Sequence, residues 1–292
     1  MTIDIGILLA LACAFMANLA FFYKHRGASS VARVQMGHPL RSARALYSSR
    51  WFAIGMAIAT ASWGLHAAAL ALAPMSVVQV ALAGGVVFIA VMAERMFGFR
   101  VGRRQWVGLS LTALGLVLLG VTLPALHGAH SQFSQAAMIG FEAGLFGLGA
   151  LLMMGPRMGG RSEHHGVMLG AAAGTLFGVS DTAIKALTGI TGSHGLLGLA
   201  SSPWLAVAVL ASVVAFYASA RGLQDGEAVP VIAVTGTAAN IAGIAGGIVV
   251  FGDPLAASPL GVVVQATAFM LVVVACALMP APVRTAGAPA RA

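Results

Sequence analysis

Apolar residues along this chain come in long unbroken blocks of roughly 20, separated by short polar connections. That length matches the ~20 residues an α-helix needs to cross about 30 Å of hydrocarbon. A membrane-spanning β-strand would alternate with period two, and these blocks do not. The pattern predicts an all-α polytopic membrane protein with about nine transmembrane helices. They fall at residues 3–23, 51–73, 75–93, 105–123, 135–155, 166–187, 203–220, 228–250 and 259–279. Pro74, Pro203 and Pro259 sit at starts or boundaries of these blocks, where a missing N–H costs little. A single transmembrane domain is expected over 1–279, followed by a Pro/Ala-rich, disordered cytoplasmic tail over 280–292.

Composition agrees with the pattern. Of 292 residues, 59% are hydrophobic and 8% charged, against about 25% charged in an average soluble chain. The net charge of +8 raises the question of nucleic acid, but its placement answers it. Fifteen of the sixteen Lys and Arg residues lie in connections on one set of alternating loops: 24–50, 94–104, 156–165, around Arg221, and the tail. The loops of the other set hold none. Basic residues stay on the cytoplasmic side, so the chain is expected in the cell membrane with its N-terminus outside and its C-terminus cytoplasmic. No nucleic-acid partner is expected; the bilayer is one. Cys13 and Cys276 lie in apolar blocks with no metal or disulfide spacing, and neither metal nor cofactor is expected. Met1–Ala20 lacks a basic n-region and carries Asp4, so it reads as an uncleaved first span.

Nine spans divide as 4+1+4. Repeat one (3–123) starts outside, a linker helix (135–155) follows, and repeat two (166–279) starts inside. The two quartets would therefore be inverted in the membrane, as in many secondary transporters. Short echoes accompany this. Gly98-Phe99-Arg100-Val101 and Gly252-Asp253-Pro254-Leu255 each leave the third helix of a quartet, with Gly108 and Gly261 following.

Polar groups inside the spans are costly and are the candidate site. Asp181 and Lys185 lie one turn apart on one face of span six and read as an ion pair, either structural or binding substrate. Glu142 in span five and His66 in span two are at similar depth, and all four could share one outward-facing cavity. Gln79, Thr235 and Asn240 are neutral groups that would line the path. Gly170, Gly174 and Gly178 form a small-xxx-small ridge suited to close helix packing.

The stretch from His66 through Pro74-Met75-Ser76-Val77-Val78-Gln79, then Gly98 and Arg103-Arg104-Gln105-Trp106-Val107-Gly108, with Gly115 after it, resembles the drug/metabolite transporter (EamA-like) superfamily. The second quartet repeats the plan with Ala228-Val229-Pro230, Phe251-Gly252-Asp253-Pro254 and Gly261. Nine spans and a late Lys185 are most similar to the NIPA-type magnesium transporter branch and its bacterial relatives. Two positions depart from the family: the Glu of its "GER" exit is Phe99 in the first half and Asp253 in the second. The resemblance implies transport without naming a cargo.

The expectation is a secondary transporter moving a small solute or ion by alternating access, with proton coupling as an option. Magnesium fits poorly, since a hard divalent ion favours several oxygen ligands and only two deep acids are present. The alternative is a non-transporting scaffold or lipid-handling subunit whose buried charges are structural. No enzyme motif such as HExxH appears. A homodimer is left open.

Overall fold

The computed structural model describes residues 2–35, 37–97, 102–122, 132–155, 164–253, 256 and 258–278. These form α1 (Thr2–Ala28), α2 (Pro39–Tyr47), α3 (Arg50–Leu72), α4 (Met75–Gly84), α5 (Val86–Arg95), α6 (Arg103–Thr122), α7 (Gln135–Met154), α8 (His165–Ser201), α9 (Pro203–Asp225), α10 (Ala228–Val249) and α11 (Pro259–Leu278). No strand occurs among the described residues. Among the described residues, six helical stretches are long and apolar enough to cross a membrane: Asp4–Ala28, Arg50–Leu72, Gln135–Met154, His165–Ile190, Pro203–Asp225 and Ala228–Val249. Over the described residues the protein is an all-helical membrane protein. Shorter apolar stretches lie in α6 and α11. Arg100, Arg157, Arg161, Gly98, Phe99, Pro254 and the expected disordered tail lie outside the described residues.

Three features differ from the sequence expectation. The span expected at 75–93 is two ten-residue helices, α4 and α5, meeting at Gly85. Tertiary contact accounts for the break: Asn18 on α1 donates to the Gly85 carbonyl at 3.0 Å, and a Cβ at Gly85 would lie 2.5 Å from that of Ala14. α8 continues past the expected end at 187 and changes direction at Gly195, whose φ of 66° and ψ of −162° are nearly closed to other residues. Finally, the basic connection after α1 contains α2. Pro39 starts it, and Ser42 ties it down by exchanging hydrogen bonds with the backbone of Gln35 at 3.0 and 3.1 Å.

Small residues set the packing. On α8, Gly170, Gly174 and Gly178 lie against α10. A Cβ at Gly174 would collide with the carbonyl oxygen of Thr235, and one at Gly178 with Ala242. α1 and α3 approach as closely: Gly55 has no room for a Cβ beside the backbone of Ala20 and Lys24.

Among the described residues, the helix ends that flank the basic connections meet at one end of the bundle. Phe22 stacks on Phe97 and Tyr23 on Trp51, with ring centroids 4.9 and 5.7 Å apart. Trp106 donates to Glu94 at 3.3 Å, and Gly166 sits against Gly226. Arg33 forks onto Asp225 at 2.8–3.1 Å, and Arg221 meets the same carboxylate at 2.7 Å. At the opposite end, Phe133 packs edge-on against Trp204 and Phe251, and Gln265 donates to the Thr122 carbonyl. The Arg33 side chain is 63% exposed. Arg33→Ala is therefore expected to lower stability by less than about 1 kcal/mol, read as a small shift in thermal unfolding of the purified protein.

Candidate functional site

Pro74 disfavours helical geometry at the residue before it, and Ala73 is extended (φ −137°, ψ 159°). The chain thus breaks between α3 and α4 in the buried interior, freeing the last carbonyls of one helix and the first N–H groups of the next. Both are satisfied from the second half of the chain. Lys185, wholly buried on α8, donates to the carbonyls of Leu70 at 2.7 Å and Ala73 at 3.0 Å. Asp253, just beyond α10 and also buried, accepts from the Ser76 N–H at 2.9 Å. A cation at a helix C-terminus and an anion at a helix N-terminus complement both dipoles.

One turn before Lys185, Asp181 meets both of these helices. Its Oδ1 lies 2.9 Å from His66 Nε2 on α3, and its Oδ2 accepts from Gln79 Nε2 on α4 at 3.0 Å. Gln79 is fully buried and is pressed from behind by α10, where a Cβ on Gly243 would lie 2.5 Å from the amide carbon. Gln79 Oε1 has no partner among the described residues. The Asp181 side chain is 16% exposed, against 8% for His66, so the carboxylate is the reachable member. An imidazole–carboxylate pair exchanges a proton readily, and its net charge can follow what binds beside it.

The structure brings together some of the expected residues and separates others. His66, Gln79 and Asp181 form one cluster. The expected pairing of Asp181 with Lys185 is replaced: on successive turns the two face different partners, because the unpaired helix ends around Pro74 claim the ammonium. Glu142 is buried on α7, and both its carboxylate oxygens lack a partner among the described residues. No hydrogen bond joins it to the Asp181 cluster among the described residues, and a cavity on the flank of the bundle is lined by none of His66, Glu142, Asp181 or Lys185. Thr235 donates within its own helix to Val231 at 2.7 Å; Asn240 is buried further along α10. Among the described residues no three His, Cys, Asp or Glu side chains group as a metal site.

Sequence reasoning passed over Asp253 and Lys24. Asp253 was visible only as a departure from a motif, and Lys24 as one of many basic loop residues. Comparison with family models, curated proteins and solved structures finds no match to the chain.

Proposed function

We propose that the protein is a secondary transporter of the cell membrane, moving a small solute by alternating access with proton coupling at Asp181. One observation carries this reading: a partly exposed carboxylate, 2.9 Å from His66 Nε2 and hydrogen-bonded to Gln79, at the seam between α3–α4 and α8. On a 4+1+4 plan that seam separates two inverted quartets, where transporters of this kind place their sites. The meeting of the helix ends that flank the basic connections fits nine alternating spans, with the N-terminus outside and the C-terminus cytoplasmic. The resemblance to the drug/metabolite transporter superfamily points the same way. One carboxylate and one imidazole suit an organic solute or a proton better than a hydrated divalent ion. Lys185 and Asp253 take structural roles in this proposal, because the broken helix ends already engage them.

The test is a solute panel in proteoliposomes, with and without a pH gradient. Asp181→Asn keeps the shape and the hydrogen bond to Gln79 but removes the ionisable group. The expected result is loss of gradient-driven flux in a variant that still inserts and elutes as the wild type does. Undiminished flux in Asp181→Asn would remove the coupling role.

A further inference from the structure

A cavity of about 750 Å³ lies on the flank of the bundle, between α3, α8 and α9. It extends from the level of Phe52 to that of Ala71, about 28 Å at 1.5 Å per helical residue. That is nearly the hydrocarbon thickness of a bilayer. Its few hydroxyls are largely occupied. Ser180 and Ser212 bond one another at 2.8 Å across α8 and α9, while Thr60 and Thr188 donate to carbonyls of their own helices. Apart from Ser219 the remaining walls, Lys24 aside, are apolar.

Lys24 is the exception. It lines the groove at the basic end and is 8% exposed. Its ammonium lies 3.9 Å over the Phe21 ring, and it has no hydrogen bond or ion pair among the described residues. Of the other cations, Arg33 and Arg221 are held by the one carboxylate of Asp225, and Arg26 and Arg50 lie over the Trp51 ring. A buried charge without a counter-ion is costly, so this end of the groove selects for an anion, while the rest selects for a chain without polar groups.

We propose that the α3–α8–α9 groove binds an anionic amphiphile, its alkyl chain along the groove and its carboxylate or phosphate head on Lys24. Either a free long-chain acid or an anionic phospholipid presents this chemistry. The site stands independently of whether the protein transports a solute through the Asp181 cluster.

Trp63 is in the groove wall and reports occupancy. Replacing the other three tryptophans (W51F, W106F, W204F) leaves it as the sole one. The full-length protein in non-ionic detergent is titrated with dibromostearate and with its uncharged methyl ester. Dibromostearate is expected to quench saturably, at least about tenfold tighter than the ester, and to be displaced by unbrominated stearate. Lys24→Met should erase the preference and Lys24→Arg retain it. Ala59→Phe, which fills the groove, should abolish saturable quenching by both probes. Brominated phosphatidylglycerol against phosphatidylcholine then distinguishes a lipid occupant from a free acid. Non-saturable quenching, equal affinity for acid and ester, or an intact preference in Lys24→Met would overturn the proposal. Should Lys24→Met fail to elute as a single species, the acid–ester comparison and Ala59→Phe decide.

Discussion

Lys185→Met is expected to destabilise the protein by about 3–5 kcal/mol, the usual result of removing one partner from a buried charged arrangement. Methionine matches the length of the lysine stem and fills the same space, so the loss isolates the ammonium. The carbonyls of Leu70 and Ala73 lose their donor in a buried place, and buried Asp253, bonded to the Ser76 N–H, is left with no cation on the other side of the break. The check is thermal unfolding of the purified protein, monitored by light scattering or by tryptophan emission. The double variant Lys185→Met/Asp253→Asn should be less damaged than the sum of the singles, because neutralising Asp253 removes the charge that the first change stranded. A Lys185→Met protein as stable as wild type would refute the capping role and return Lys185 to the set of transport candidates.

Gly174→Leu should be comparably severe for a different reason. Any Cβ at that position runs into the Thr235 carbonyl oxygen, a backbone atom that cannot turn aside. α8 and α10 must therefore move apart, and the buried face they share loses its contacts. Overpacking of this kind costs about 1–3 kcal/mol and more where the obstacle is rigid. Gly236→Ala is the matched control. It lies one residue beyond Thr235, and nothing stands within 4 Å of the position its Cβ would take, so the change should be neutral or slightly stabilising through helix propensity. Equal thermal unfolding of Gly174→Leu and wild type would show that the two helices are not packed through this ridge. The same separation would also carry Gly243 away from Gln79, so a folded remnant of Gly174→Leu should lose flux along with stability.

The helices themselves are legible in the apolar blocks of the chain. Those blocks are helical, and the prolines at 74, 203 and 259 stand at helix starts, because a chain in hydrocarbon must satisfy its backbone internally and a helix does so locally. The Gly170–Gly174–Gly178 ridge is likewise readable, since absent side chains at one-turn spacing describe a flat surface whatever covers it. Harder to foresee is the break at Gly85. Its cause is a side chain on α1, more than sixty residues away in sequence.

The site is half legible for the same reason. That Asp181, His66, Gln79 and Lys185 are polar groups in apolar surroundings follows from sequence and the cost of burying them. The spacing of Asp181 and Lys185 implies a partnership that the fold does not use, because i,i+4 spacing only makes two side chains available to each other. Partners are assigned by the broken helix at Pro74, whose stranded carbonyls and N–H groups demand a cation and an anion from distant segments. Chain-local facts (length, hydrophobicity, proline, the sign and spacing of charges) were determined by sequence alone, since a lipid solvent acts on each segment separately. Which buried group faces which, and that Lys24 looks into an apolar groove without an anion beside it among the described residues, was decided by tertiary packing, since those energies exist only between segments.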